Sequence, residues 1–147
     1  MKSILAGGLA LVLASAAGMA HAADLTYRAE PDSLTEPLNG TAYWANQAQC
    51  AGLFGAASQF FEGRGDAAQA EANRTLALQF ANDAIARLRK DRGLTKAQAM
   101  DLISPAVLKA RDDSQRVMAQ GVDPKSPWNF ARSSCLEIND NYRAHAS

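Results

Sequence analysis

Histidine is scarce in this chain, and its scarcity argues against several kinds of active site. Only two of the 147 residues are histidines. His21 belongs to a segment that we interpret below as a signal peptide, and His145 is close to the C-terminus. The region between them is therefore a poor candidate for a Ser-His-Asp or Cys-His catalytic arrangement. It is an equally poor candidate for a zinc, iron or copper site with histidine ligands.

Cysteine is equally scarce. The two cysteines, Cys50 and Cys135, are far apart, so the chain lacks the Cys-x-x-Cys motif of thioredoxin-like proteins and of covalently bound c-type haem. A glycine-rich phosphate-binding loop is also missing, because Gly52 and Gly55 fall inside a predicted helix. We therefore expect neither a cofactor nor a metal ion.

Neither sign of charge is in excess. The sequence has 15 lysines and arginines against 15 aspartates and glutamates. Proteins that bind nucleic acid or an anionic membrane surface usually carry a basic excess. The balance therefore argues against both kinds of partner.

The first residues have the three parts of a secretory signal peptide. Lys2 supplies a positive charge, residues 4–17 form a short apolar run, and Ala20-His21-Ala22 is the small-x-small pattern that signal peptidase recognises. The run is too short to span a membrane, and no second run of this kind follows. We therefore predict that residues 1–22 are a signal peptide cleaved after Ala22, and that the mature protein is periplasmic or secreted.

The segment 23–40 has two prolines and no helical period in its hydrophobic residues. Two interpretations remain open for it. It is either an extended arm that lies against the rest of the domain or a flexible tail.

Hydrophobic residues at helical spacing predict an all-α domain over residues 41–142. The expected helices cover residues 41–62, 67–92, 96–120 and 127–142. Pro105 falls inside the third of these, which is either one kinked helix or a short helix over 96–103 followed by a longer one. Residues 143–147 are expected to fray.

Short connections between these helices favour a small antiparallel four-helix bundle. In that arrangement Cys50 on the first helix and Cys135 on the last lie at similar heights, roughly 18 Å and 12 Å from the same end. One disulfide between these two helices is the simplest pairing in an exported protein, and two buried free thiols are the alternative. The chain-entropy model assigns such a bridge a stabilisation of roughly 4 kcal/mol.

Two pairs of aromatic residues lie near the end of the bundle where the first helix ends and the last begins. Phe60 and Phe61 are adjacent, and Trp128 and Phe130 are close neighbours on one helix, so the members of a pair cannot both face fully inward. An exposed member of either pair is a candidate interaction patch. The alternative is that these residues belong to the core.

Acidic side chains are the remaining candidates for catalysis, because paired carboxylates can act as general acid and base. The candidates by residue type are Glu62, Glu71, Asp112, Asp113, Glu137 and Asp140. Charged residues on helices more often form a solvated surface, and we adopt that interpretation.

These observations lead to three hypotheses about function. The first is an exported, non-enzymatic protein that binds another protein, for example as an inhibitor or immunity protein against an envelope enzyme. The second is a periplasmic stress chaperone that exposes hydrophobic surface to many clients when its carboxylates are protonated, at roughly pH 3 to 5. The third is a carrier of a small apolar ligand or an enzyme that uses carboxylates. We favour the first, because the chain has no recognisable catalytic motif.

Overall fold

The structure is a computed structural model that describes residues 41–145, with side chains up to residue 142. This part of the chain forms four α-helices: α1 (Tyr43–Gly63), α2 (Ala67–Arg92), α3 (Lys96–Met118) and α4 (Pro127–His145). A disulfide joins Cys50 of α1 to Cys135 of α4. The all-α class and the disulfide are therefore confirmed. The predicted signal peptide (1–22) and arm (23–40) lie outside the described residues.

α1 is the central helix, and its sequence explains why. Apolar and small residues occur on all sides of it, and a helix of this kind is stable only when it is covered on all sides. It contacts each of the other three helices, through long interfaces with α2 and α3 and a shorter one with α4. Most of its residues are buried as a result, and residues 50–54 are buried without interruption.

α1 and α3 approach each other most closely at Gly52. A Cβ atom at this position would overlap the carbonyl oxygen of Val107 and lie 2.8 Å from the Cβ of Ala110. Ala48 and Ala56, one turn away on either side, are fully buried. Small residues at every fourth position therefore allow the two helix backbones to pack closely.

The ends of α2 and α3 agree with the sequence because their caps are formed locally. The Asp66 carboxylate accepts a hydrogen bond from the Gln69 backbone N–H at 3.1 Å and begins α2. Thr95 and Gln98 form a reciprocal capping box that begins α3. Gly93 has φ 63° and ends α2 in the left-handed conformation that glycine adopts readily.

α3 is a single helix that includes Pro105, so the predicted alternative of a short helix followed by a longer one is wrong. Pro105 is exposed, so the backbone carbonyl that loses its intrahelical partner lies near solvent. One residue earlier, the Ser104 hydroxyl donates a hydrogen bond to the Met100 carbonyl at 2.7 Å. The helix ends at Met118, slightly before the expected residue 120.

The outer helices differ from expectation by a few residues, as helix ends usually do. α1 begins at Tyr43 rather than at residue 41, because Ala42 is its N-cap. α4 continues to His145 and overlaps the tail 143–147 that was expected to fray. The side chains of that tail lie outside the described part of the chain.

Candidate functional site

The end of α1 and the start of α4 lie together, and three of the four aromatic residues of the predicted interaction patch meet there. The rings of Phe61 and Trp128 have centroids 6.3 Å apart and planes at 69°. Phe60 and Phe61 meet edge to face, with centroids 5.4 Å apart and planes at 88°. Such edge-to-face pairs are favourable beyond the area that they bury. We refer to Phe60, Phe61 and Trp128 as the aromatic cluster.

Phe130, the fourth residue, points away into solvent. Its side chain is 77% exposed, whereas Trp128 is 5% exposed. Two positions along a helix correspond to roughly 200° of rotation, so Phe130 lies on nearly the opposite side of α4 from Trp128. Trp128 is therefore a core residue, and Phe130 is the member of its pair that is available to a partner.

The first turn of α4 is fixed in place by its loop and by Trp128. The Ser126 hydroxyl accepts a hydrogen bond from the Asn129 N–H at 3.2 Å, and the Asn129 amide donates to the Pro124 carbonyl at 3.0 Å. Trp128 packs against Ala57 and Met118 in the core. Phe130 thus extends from an anchored helix turn rather than from a loop.

Phe60 is bordered by a cation and by a groove. The guanidinium carbon of Arg64 lies 4.4 Å from the centroid of the Phe60 ring, which is a cation–π contact. A groove of about 250 Å³ lies between α1 and α3, and Gln115 donates a hydrogen bond to Gln59 there at 3.0 Å. It is lined by Ala56, Gln59, Phe60, Gln115 and Ala119. The contact of Arg64 with Phe60 could not be predicted from the sequence, because Arg64 lies in a turn.

Two of the six carboxylate candidates come together. Glu62 and Glu71 both lie within salt-bridge distance of Arg74, at 3.7 Å and 3.0 Å, beside a surface cavity of about 370 Å³. All three side chains are about half exposed or more. An exposed pair of carboxylates that shares one arginine has the character of a solvated surface network.

The other four carboxylates are separate from this pair. The hydrogen bond from Lys109 is the main reason that the pKa of Asp113 is lowered, and Arg116 adds to the effect. Asp112 lies 3.5 Å from Arg111, and Glu137 and Asp140 are exposed on α4. Among the described residues, no three His, Cys, Asp or Glu side chains are grouped so that they could hold a metal ion.

A buried ion pair within α2 is a feature that the sequence did not predict. The side chains of Arg87 and Asp91 are 5% and 9% exposed, and the Arg87 Nε lies 2.6 Å from an Asp91 carboxylate oxygen. In the sequence, a buried Arg–Asp pair four residues apart looks the same as a pair on an exposed helix surface. Only the packing around α2 reveals that this pair is buried.

Two tyrosines join the start of α1 to the end of α4 near this ion pair. The rings of Tyr43 and Tyr142 have centroids 5.3 Å apart, and the Tyr43 hydroxyl donates to the Ile138 carbonyl at 2.7 Å. Burial raises the pKa of both phenols. The negative charge of Asp83 raises the pKa of Tyr142 further.

None of the helices in residues 41–145 combines the length and the hydrophobicity that crossing a bilayer requires. Comparison with known proteins finds no match to this chain, whether among protein-family models, curated proteins or solved structures.

Proposed function

We propose that this protein is exported and acts without catalysis, by binding another protein through the surface around Phe130. The observation that carries the proposal is the 77% exposure of this phenylalanine. An exposed aromatic ring gains more than most side chains when a partner covers it, and aromatic residues dominate the binding energy of many interfaces. An inhibitor or immunity protein directed at an envelope enzyme would act in this way.

The way in which Phe130 is held supports the proposal. The buried Trp128 and the capped first turn of α4 keep the backbone beneath Phe130 in one conformation. A partner therefore meets a side chain whose backbone needs little further ordering, which reduces the entropic cost of binding.

We further propose an antiparallel order for the helices. Along α1, contacts with α4 run from Tyr43–Ile138 through Cys50–Cys135 to Phe61–Trp128, so residue numbers rise in one helix as they fall in the other. The α1–α2 contacts follow the same rule, since Trp44 lies against Arg92 and Phe54 lies against Phe80.

We also propose that residues 23–40 form an arm against the end of the domain where α1 begins. Ala42, Tyr43 and Trp44 are buried there, and the arm precedes them directly in the chain. Deleting 23–40 is then expected to lower the urea midpoint of unfolding, and an unchanged midpoint would leave a flexible tail as the better description.

A photocrosslinking experiment tests the binding proposal. A phenylalanine analogue with a photoreactive benzoyl group is placed at position 130 of the full chain, and cells that export it are illuminated. The matched control carries the same analogue at Leu78, a 61% exposed apolar position on α2. We expect one adduct of defined mass from position 130 and none of that mass from position 78.

Binding of the partner identified from the adduct then provides a quantitative test. Phe130→Ala is expected to weaken binding of the identified partner by about tenfold or more, and Leu78→Ala is expected to leave it unchanged. Both residues are exposed, so neither substitution should change folding. The same adducts from both positions, or none from either, would contradict the proposal.

A chaperone is the second candidate, and one observation favours it. α4 covers apolar residues of α1 and α2 through an interface that is shorter than the others. If the protein is a chaperone, the photoreactive group at position 130 would form adducts with many different proteins, and their number would increase in acid.

A further inference from the structure

α4 is attached to the domain differently from the other helices. Three-residue turns, 64–66 and 93–95, connect α1 to α2 and α2 to α3, whereas α4 follows the longer loop 119–126. α4 also shares only short interfaces with α1 and α3. Among the side chains of α4 that the structure describes, those of residues 127–142, the buried ones are Trp128, Cys135 and Asn139.

The disulfide lies at the middle of the α4 interface. Cys50 and Cys135 are 2% and 7% exposed. Around them, α4 contributes Ala131, Leu136 and Ile138, all of which are only partly buried. Because the apolar contribution of α4 is small here, the covalent bond supplies a large part of its attachment.

On either side of the disulfide, α4 is also held by hydrogen bonds and aromatic contacts. Beyond Cys135, Gln79 donates a hydrogen bond to the buried Asn139 at 3.0 Å, and Tyr43 donates to the Ile138 carbonyl at 2.7 Å. Before Cys135, the buried Trp128 is the main attachment, through its packing against Ala57 and Met118 and its ring contact with Phe61. Each of the two hydrogen bonds is weak by itself, and these contacts form only while α4 lies in register with α1 and α2.

The surface beneath α4 is strongly apolar. Leu53 and Phe54 of α1 and Phe80 of α2 form one cluster with the two cysteines, and the α4 residues pack against it. Phe54 and Phe80 are fully buried and stack with ring centroids 5.4 Å apart. Displacement of α4 would expose this cluster to solvent.

We propose that the Cys50–Cys135 disulfide is a redox-sensitive restraint, and that its reduction releases α4 from a folded α1–α3 core and uncovers the cluster around Phe54 and Phe80. The reductant is a dithiol, either a small molecule or the paired cysteines of an oxidoreductase. Its two sulfurs give up two electrons and two protons and become a disulfide. The sulfur–sulfur bond of Cys50–Cys135 accepts both and becomes two thiols.

This arrangement does not depend on a partner at Phe130, and it predicts a conformational change within the chain itself. Because both sulfurs are buried, a reductant reaches them only when α4 opens. Reduction of the folded protein is therefore expected to be slow and to accelerate under conditions that loosen α4.

Backbone hydrogen exchange, measured by mass spectrometry on the full chain, tests the proposal. The samples are the oxidised protein, the protein reduced with dithiothreitol, and Cys50→Ala/Cys135→Ala, which needs no reductant. We expect amides in α4 to exchange at least about tenfold faster in the last two samples, with a much smaller change in α1–α3. A fluorescent dye that binds apolar surface is expected to give a several-fold stronger signal in the same two samples.

Gly52→Ala with its disulfide intact is the matched control, because it disturbs the α1–α3 crossing and leaves the α4 restraint in place. Its exchange should not rise selectively in α4. Unchanged protection of α4 after reduction would overturn the proposal, since α4 would then be held without the bond. Equal loss of protection in all four helices, or release of α4 without any gain in dye binding, would also overturn it.

Discussion

Gly52 shows how strongly one residue controls the packing of this domain. The Val107 carbonyl oxygen and the Ala110 side chain occupy the space into which a larger residue at this position would extend. Backbone atoms cannot move aside as the end of a flexible side chain can. The spacing of α1 and α3 therefore depends on the absence of a side chain at residue 52.

Gly52→Ala is expected to destabilise the protein by about 1–3 kcal/mol, because the added methyl group forces two packed helices apart. Gly55→Ala is the matched control, since a Cβ there meets no atom within 4 Å. It is expected to stabilise the helix by about 0.5–1 kcal/mol. Urea unfolding of both variants measures the difference, and equal effects would contradict the close approach at Gly52.

Asp91→Asn is expected to destabilise the protein by about 3–5 kcal/mol, because it leaves the buried Arg87 charge without its partner. Glu71→Gln interrupts an exposed pair with Arg74 and is expected to change stability by less than about 1 kcal/mol. The measurement is again urea unfolding at neutral pH. A loss at Asp91 no larger than that at Glu71 would mean that water reaches the Arg87–Asp91 pair.

At the scale of the helix, α4 is the element whose attachment we expect to respond to pH and to reduction. Its last turns depend on Tyr142 and on the hydrogen bond that Tyr43 donates to Ile138. Burial raises the pKa of both tyrosines, so the folded protein holds these two protons more tightly than the unfolded chain does.

This attachment is therefore expected to weaken in alkali. The contribution of the two phenols to stability is complete below the ordinary tyrosine pKa of 10.0 and is lost as pH rises through their raised values in the folded protein. Urea unfolding across this range, together with phenolate absorbance, measures the effect. Tyr142→Phe should reduce the pH dependence of stability. If both tyrosines of the folded protein titrated at the same pH as in the unfolded chain, this prediction would be contradicted.

The helix ends illustrate what can be inferred from sequence at this scale. The expected starts of α2 and α3 and the expected end of α2 agree with the structure, because the caps at Asp66, Thr95 and Gly93 involve only residues a few positions away. Pro105 left two alternatives open, because the continuity of α3 depends on how its residues on both sides pack against α1.

At the scale of the whole molecule, α1 is enclosed by the other three helices, and one cross-link joins residues 85 positions apart in the chain. Two cysteines on helices with matching heights were enough to predict this pairing. We expect the exported protein to begin at Ala23 and to contain no free thiol. N-terminal sequencing and thiol titration of denatured protein check both points, and an intact residue 1–22 segment would contradict the proposed export.

The exposure of the aromatic residues was less predictable. Spacing alone required that Trp128 and Phe130 face different directions, and the structure then placed Trp128 in the core and Phe130 in solvent. The sequence had no means of choosing between them, because the choice depends on where α4 docks on α1. The contact between Arg64 and Phe60 and the convergence of Glu62 and Glu71 on Arg74 depend in the same way on the turn that joins α1 to α2.

The sequence alone was sufficient to predict the all-α class, the approximate helix ends and the disulfide pair. Each follows from hydrophobic period, from caps within a few residues, or from the presence of only two cysteines. Tertiary packing established that Arg87 is buried with Asp91, that Gly52 lies against Val107, and that Phe130 is exposed. These features depend on contacts between residues distant in the chain, and the same residue types at the same spacing are compatible with either outcome until the helices have packed.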